Sequence, residues 1–81
     1  MVIVSEQEVL AVIQEALGLD AKSITLESSV LNVNEWDSLG HLGILTALDK
    51  FFVGRVATIK DMAKANSVSK ILQILKNNSL I

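Results

Sequence analysis

The strongest structural signal in this chain is the change from polar to apolar sequence at Asp37 and Ser38. A polar residue directly before a run of apolar residues at helical spacing is typical of an α-helix N-terminus. Asp37 is the predicted N-cap, since its carboxylate can accept hydrogen bonds from the first free N–H groups. Ser38 then opens the helix at its solvent-facing rim. Because a helix start favours negative charge, this position suits a phosphodiester.

The helix that follows is predicted to cover about residues 38–52 from its apolar periodicity. Its apolar stripe and margin consist of Leu42, Leu45, Leu48, Phe52, Ile44 and Phe51. Gly40 and Gly43 weaken its first turns by about 1 kcal/mol each relative to alanine. Either tertiary packing offsets that cost, or another molecule uses the room to approach the backbone closely.

Two further helices have clear capping signals. Ser5 and Glu8 form a capping box for a helix over about residues 5–17. Ser67 caps a last helix, which has an apolar stripe over about residues 68–77.

A shorter third helix is predicted between them. Thr58 is its N-cap with Asp61 at N3, and Ala65 and Asn66 end it. With the long helices, this predicts one all-α domain over residues 1–81, a four-helix bundle with a short third helix.

Residues 19–35 form a long connection that is rich in turn-forming Ser, Asn, Asp and Thr. A loop of this length is uncommon in a compact domain unless it is functional or pinned to the core. Six apolar residues are the predicted anchors: Leu19, Ile24, Leu26, Val30, Leu31 and Val33.

The residue inventory is poor in catalytic groups. The chain has no cysteine, and therefore no disulfide, zinc site or thiol nucleophile of its own. His41 is the single histidine, which is too few for a metal site made of protein side chains and gives little support to a Ser-His triad. It is predicted to lie on the helix surface. No paired carboxylates or phosphate-cradling glycine loop are present. We therefore expect no metal site and no enzymatic activity.

The charges divide unevenly, with a net −7 over residues 1–49 and +5 over residues 50–81. We favour two solvated faces that attract each other within the fold, and a partner surface of mixed sign is the alternative. The basic half lacks the interleaved aromatic residues of single-strand nucleic-acid binders, so we expect no nucleic-acid partner. No apolar run reaches the roughly 20 residues of a membrane span. The apolar residues 1–4 are too short for a signal-peptide core, and the expected protein is a cytoplasmic monomer.

Residues 35–42 resemble the attachment motif of acyl carrier proteins. In that family an Asp-Ser-Leu triplet begins the second helix, and the serine carries a 4′-phosphopantetheine arm. The matching residues here are Asp37, Ser38 and Leu39. Chain length, motif position and flanking pattern extend the resemblance over about residues 5–75. Peptidyl carriers usually have Gly-Gly before the serine, and Trp36 and Asp37 in that place favour the acyl type.

The resemblance implies a carrier function. A phosphopantetheinyl transferase would move the arm from coenzyme A to Ser38, and the arm's thiol would hold acyl or aminoacyl groups as thioesters. The implied partners are an acyl or aminoacyl ligase or transferase and downstream synthase enzymes. The alternative is an unmodified helical protein-interaction domain of the same fold.

The second helix departs from the resembled family. Acyl carriers usually present acidic residues on this helix to basic patches of partner enzymes, and Gly40 and Gly43 stand at matching positions here. This predicts a specialised pathway and recognition that depends more on apolar contact than on charge. The predicted partner contacts are Trp36, Leu39, Gly40, His41, Gly43 and Ile44. For Trp36, the favoured interpretation is a partly buried anchor of the loop.

Overall fold

A computed structural model describes residues 4–81, so residues 1–3 of the apolar start lie outside it. Its regular secondary structure is helical throughout that range: α1 (Glu6–Ala16), α2 (Ser38–Phe51), a 3₁₀ helix (Lys60–Lys64) and α3 (Val68–Asn77). Within the same range no helix combines the length and the hydropathy that crossing a membrane requires.

The predicted bundle of four helices is not confirmed, because residues 4–81 contain three α-helices. The segment expected to be the short third helix is a five-residue 3₁₀ helix. Its N-cap is Ile59, which offers no side-chain hydrogen bond, so Thr58 does not cap it. At its other end Ala65 already has extended backbone (φ −73°, ψ 109°). Short 3₁₀ helices of this kind are common as connectors between α-helices.

The three α-helix starts are confirmed. Ser5 and Glu8 make the capping box of α1. Asp37 Oδ1 accepts the Gly40 N–H at 2.8 Å, and Ser67 Oγ accepts the Lys70 N–H at 3.2 Å. Each cap bonds to an amide three residues later, which is why local sequence predicts it.

The hydrophobic core lies among the three α-helices and is completed by the connections between them. The fully buried helical side chains are Val9, Ile13, Ile44, Leu48, Val68, Ile71 and Leu75. Trp36, Val56 and Met62, each at most 2% exposed, come from outside the α-helices. The connections therefore contribute large side chains to the core.

The buried face of α2 differs from the predicted stripe. Ile44 and Leu48 are 0% exposed, whereas Leu42 is 59% exposed and Phe51 is 38% exposed. Leu42 and Phe51 are therefore not core residues. Because α2 has apolar residues on several sides, its periodicity fits more than one stripe, and packing against α1 and the loop selects one.

The long loop is pinned, but less by apolar anchors than predicted. Ile24 is buried, and Leu19 and Val33 pack partly buried against the core. The other three predicted anchors are wrong, because Leu26, Val30 and Leu31 are 49%, 40% and 93% exposed.

Polar side chains and backbone bonds hold the loop instead. Ser28 Oγ accepts the Thr25 N–H at 2.9 Å, and Asn32 Oδ1 accepts the Ser29 N–H at 2.9 Å. Two backbone bonds of 3.0 Å then tie the loop to the start of α3: Val30 N–H to Asn66 O and Val68 N–H to Ser28 O. Turns and a short backbone pairing thus position the loop beside α3.

One ion pair within residues 4–81 connects the acidic and basic halves. Lys76 Nζ of α3 lies 2.8 Å from Glu6 Oε2 of α1, and the two side chains are 57% and 41% exposed. An exposed pair of this kind contributes about 1 kcal/mol or less, so it does little to hold the halves together.

All three α-helices end in a left-handed residue, namely Gly18 (φ 69°), Val53 (φ 57°) and Ser79 (φ 59°). In each case the next amide donates five residues back, as in a Schellman motif. These bonds are Leu19 N–H to Gln14 O, Gly54 N–H to Asp49 O, and Leu80 N–H to Leu75 O. Only the first helix uses glycine, and a β-branched residue such as Val53 is strained at positive φ.

We expect Val53→Gly to raise the free energy of unfolding by about 0.5–1 kcal/mol. The left-handed conformation costs a non-glycine residue roughly 1–2 kcal/mol, and glycine's freedom in the unfolded chain offsets part of that gain. Because Val53 is 87% exposed, little packing is lost. Urea denaturation measures the change, with Val53→Ala as the control that removes only the branch. Destabilisation by Val53→Gly would contradict the strain argument.

Candidate functional site

Ser38 is exposed and is the first residue of α2. The Asp37 backbone carbonyl accepts the His41 N–H at 2.8 Å, and the Asp37 carboxylate accepts the Gly40 N–H. In the described chain, the N–H groups of Ser38 and Leu39 donate to no protein acceptor. Two free donors and an exposed hydroxyl therefore meet at the positive end of the helix, where an anion is favoured.

A cleft of about 630 Å³ opens beside Ser38. Its lining is mostly apolar and comes from α2, the loop and the segment around the 3₁₀ helix: Val30, Trp36, Asp37, Ser38, His41, Leu42, Leu45, Ala63, Lys64, Ala65 and Asn66. Lys64 and Asn66 are the polar residues that the segment around the 3₁₀ helix contributes to this lining. A largely apolar cleft with a few polar groups is the usual character of a small-molecule binding site.

Trp36 anchors the loop, as predicted, but it is buried rather than partly buried. Its side chain is 2% exposed, and its indole N–H donates to His41 Nδ1 at 3.0 Å. The alternative interpretation, an exposed tryptophan that contacts a partner, is therefore wrong.

His41 is not the surface residue that the sequence predicts. It is half-buried, and its ring lies nearly parallel to that of Trp36, at an angle of 14° and with centroids 6.2 Å apart. His41 Nδ1 accepts from Trp36, and Nε2 lies 2.8 Å from the carbonyl oxygen of Met62. An indole N–H can only donate and a carbonyl can only accept, so the ring proton is on Nε2. Neither nitrogen is free to take a proton from Ser38 or to contact a partner.

Gly40 is required by the chain's own packing. A Cβ at Gly40 would overlap the carbonyl oxygen of Glu35 and would lie 2.9 Å from Leu17 Cδ2. The room left by this glycine is thus filled by the protein itself. The prediction that a partner uses this room to approach the backbone closely is wrong.

Gly43 and Ile44 also face the protein's own interior. Gly43 is half-buried, and a Cβ there would lie 3.4 Å from the carbonyl oxygen of Ala16 in α1. Ile44 is 0% exposed and is therefore a core residue, not a partner contact.

The acidic residues of α2 and its cap have structural roles. Asp37 caps the helix, and Asp49 Oδ1 accepts the N–H groups of Val56 at 3.1 Å and Ala57 at 2.8 Å. Asp49 therefore fixes the turn after α2. Asp37 remains exposed beside Ser38, so it is the better placed of the two for a partner contact.

The structure also brings residues to the site that the sequence assigned elsewhere. Leu42, predicted to belong to the apolar stripe of α2, and Val30, predicted to anchor the loop, line the cleft while remaining exposed. Leu39, which the sequence already placed at the site, is 82% exposed beside Ser38. For Leu42 a sequence signal existed, because a residue four positions after Ser38 shares its helix face. For Val30 and the residues around Lys64 only the tertiary fold supplies the proximity.

Comparisons with protein-family models, with curated proteins and with solved structures found no match. The function of the site therefore has to be inferred from its geometry. That geometry combines an exposed serine at a helix start, two free backbone donors and a mostly apolar cleft.

Proposed function

We propose that this protein is an acyl carrier whose Ser38 receives a 4′-phosphopantetheine arm from coenzyme A. The observation that carries the proposal is the position of Ser38, exposed at the start of α2 and at the edge of the cleft. The N–H groups of Ser38 and Leu39 are free to donate to a phosphate on the Ser38 oxygen. Leu42 and Leu45 offer apolar surface to the chain that follows the phosphate.

The arm would supply a terminal thiol that holds an acyl or aminoacyl group as a thioester, a reaction for which this cysteine-free chain has no group of its own. The protein's residues would do the rest. Asp37 fixes the start of α2, while Lys64 and Asn66 present polar groups toward the cleft. The order of elements also supports the proposal: a long helix, a pinned loop, the serine-bearing helix, a short helical segment and a last helix. In this carrier, the 3₁₀ helix Lys60–Lys64 would take the place of the short third helix of acyl carrier proteins.

The environment of Ser38 favours a carrier over a serine enzyme. A nucleophilic serine needs a general base within hydrogen-bond reach. His41, one turn away, has both ring nitrogens bonded to Trp36 and Met62. Ser38 would therefore be activated by the base of a transferase that docks on it.

The partners follow from this proposal: a phosphopantetheinyl transferase, an acyl or aminoacyl ligase or transferase, and synthase enzymes of a specialised pathway, in the cytoplasm. Since Trp36 and Ile44 are buried, contacts around Ser38 would come from Leu39, Leu42 and Asp37. Apolar contact would then dominate recognition, with limited dependence on salt.

Incubation with coenzyme A and a broad-specificity transferase should add one phosphopantetheine, and Ser38→Ala should abolish the addition. Intact-mass spectrometry measures it. Ser69→Ala, at an exposed serine near the start of α3, is the matched control and should be modified like the wild type. Ser38→Ala should change stability by no more than about 0.5 kcal/mol, since Ser38 lies on the surface.

An unmodified protein-interaction domain is the second candidate. It is favoured by the exposure of Leu31 (93%), Leu39 (82%) and Val53 (87%). If several transferases leave the folded wild-type protein unmodified, the carrier proposal fails and this candidate replaces it.

A further inference from the structure

Two of the walls of the cleft beside Ser38 are connected by a hydrogen bond of the His41 side chain. One wall belongs to α2, and the other consists of the 3₁₀ helix and the residues that follow it. His41, on α2, reaches across through Nε2 to the Met62 carbonyl oxygen at 2.8 Å. Met62 is 1% exposed, and its carbonyl also accepts the Ala65 N–H at 3.2 Å. The bond from His41 thus ends at the carbonyl that closes the last turn of the 3₁₀ helix.

We propose that His41 is a positioning residue that holds the 3₁₀ helix against α2 and thereby sets the width of the cleft beside Ser38. The effect of this cleft width on a bound phosphopantetheine arm rests on the carrier function proposed above. The consequence for the cleft itself does not.

Trp36 determines which form of His41 can make this connection. The indole N–H donates to Nδ1, so Nδ1 must be unprotonated and Nε2 must carry the hydrogen that Met62 accepts. The opposite tautomer would place two N–H groups face to face and leave the Met62 side without a donor. The buried loop residue, α2 and the 3₁₀ helix are therefore linked in a fixed order, from Trp36 through His41 to Met62.

Two amide substitutions separate the two bonds of His41. The oxygen of an asparagine can take the place of Nδ1 and accept from Trp36, but its side chain is too short to reach Met62. The amide nitrogen of a glutamine can take the place of Nε2 and donate to Met62, while Trp36 loses its acceptor. His41→Asn and His41→Gln are thus a matched pair of similar polarity.

The first experiment uses the protein without an arm. ¹⁵N NMR of the His41 ring should show the Nε2–H tautomer. The hydrogen-exchange rate of the Ala65 amide is divided by that of the Ile13 amide in the core, which cancels any general loss of stability. This ratio should be roughly tenfold higher in His41→Asn than in the wild type. In His41→Gln the ratio should stay near that of the wild type. The Nδ1–H tautomer, or equal ratios in the two variants, would overturn the proposal.

The second experiment uses protein that carries a phosphopantetheine arm loaded with an octanoyl group. If the connection keeps the cleft narrow, hydrolysis of the thioester should be severalfold faster in His41→Asn and unchanged in His41→Gln. Equal rates in wild type and both variants would show that the width of the cleft does not affect the cargo. If no arm can be attached at Ser38, the carrier function fails, and the exchange experiment still decides the role of His41.

Discussion

Leu48→Ala is expected to lower the free energy of unfolding by about 2–5 kcal/mol, the range for deleting a buried leucine side chain. Leu48 is 0% exposed and lies on the face of α2 that packs into the core. Urea denaturation measures the loss, because a constant slope with a lower midpoint reports stability directly.

Leu42→Ala is the matched control on the same helix. Leu42 is 59% exposed, so its truncation should change stability by no more than about 0.5 kcal/mol. It also removes apolar surface from the cleft beside Ser38. Similar losses of unfolding free energy in Leu48→Ala and Leu42→Ala would contradict the observed orientation of α2 and would indicate that Leu42 is a core residue.

Gly40→Ala is expected to destabilise the protein by about 1–3 kcal/mol, because overfilling a packed site forces the backbone to move. The added Cβ would overlap the carbonyl oxygen of Glu35, which cannot rotate away as a side chain would. Glu35 directly precedes Trp36, so its displacement would disturb the loop anchor and the Asp37 cap. Thermal or urea denaturation measures the loss. The proposed attachment of a phosphopantetheine arm at Ser38 should also become slower.

Gly43→Ala is the control, and we expect the opposite sign. The new Cβ would lie 3.4 Å from the Ala16 carbonyl oxygen, an ordinary contact distance. Alanine is a better helix former than glycine by up to about 1 kcal/mol, so the variant should be as stable as the wild type or more stable. A harmless Gly40→Ala, or equal losses at the two sites, would show that the loop can move away from α2 at little cost.

The packing at Gly40 also limits how the proposed carrier can be tested with added acidic residues on α2. An acid introduced at Gly40 would first disturb the contact with Glu35, so any loss of partner recognition would have a structural cause. Leu39 is exposed and lies beside Ser38, and it is a better place to vary charge without altering the packing.

The local sequence alone determined where the α-helices begin and where the candidate serine lies. The caps at Ser5, Asp37 and Ser67 each bond to an amide three residues later, so both partners lie within one short stretch of sequence. The last helix, Val68–Asn77, has the predicted bounds because its apolar residues form a single stripe.

Only the tertiary structure decided which side of α2 is buried and how the cleft is built. Apolar residues lie on several sides of α2, so both Leu42 and Ile44 fit a core position until α1 and the loop select one. His41 finds Met62 as its partner, 21 residues further along the chain, and a capping or periodicity rule covers only a few residues. Local rules describe bonds within one turn of helix, whereas a wall shared by two elements depends on how the whole chain packs.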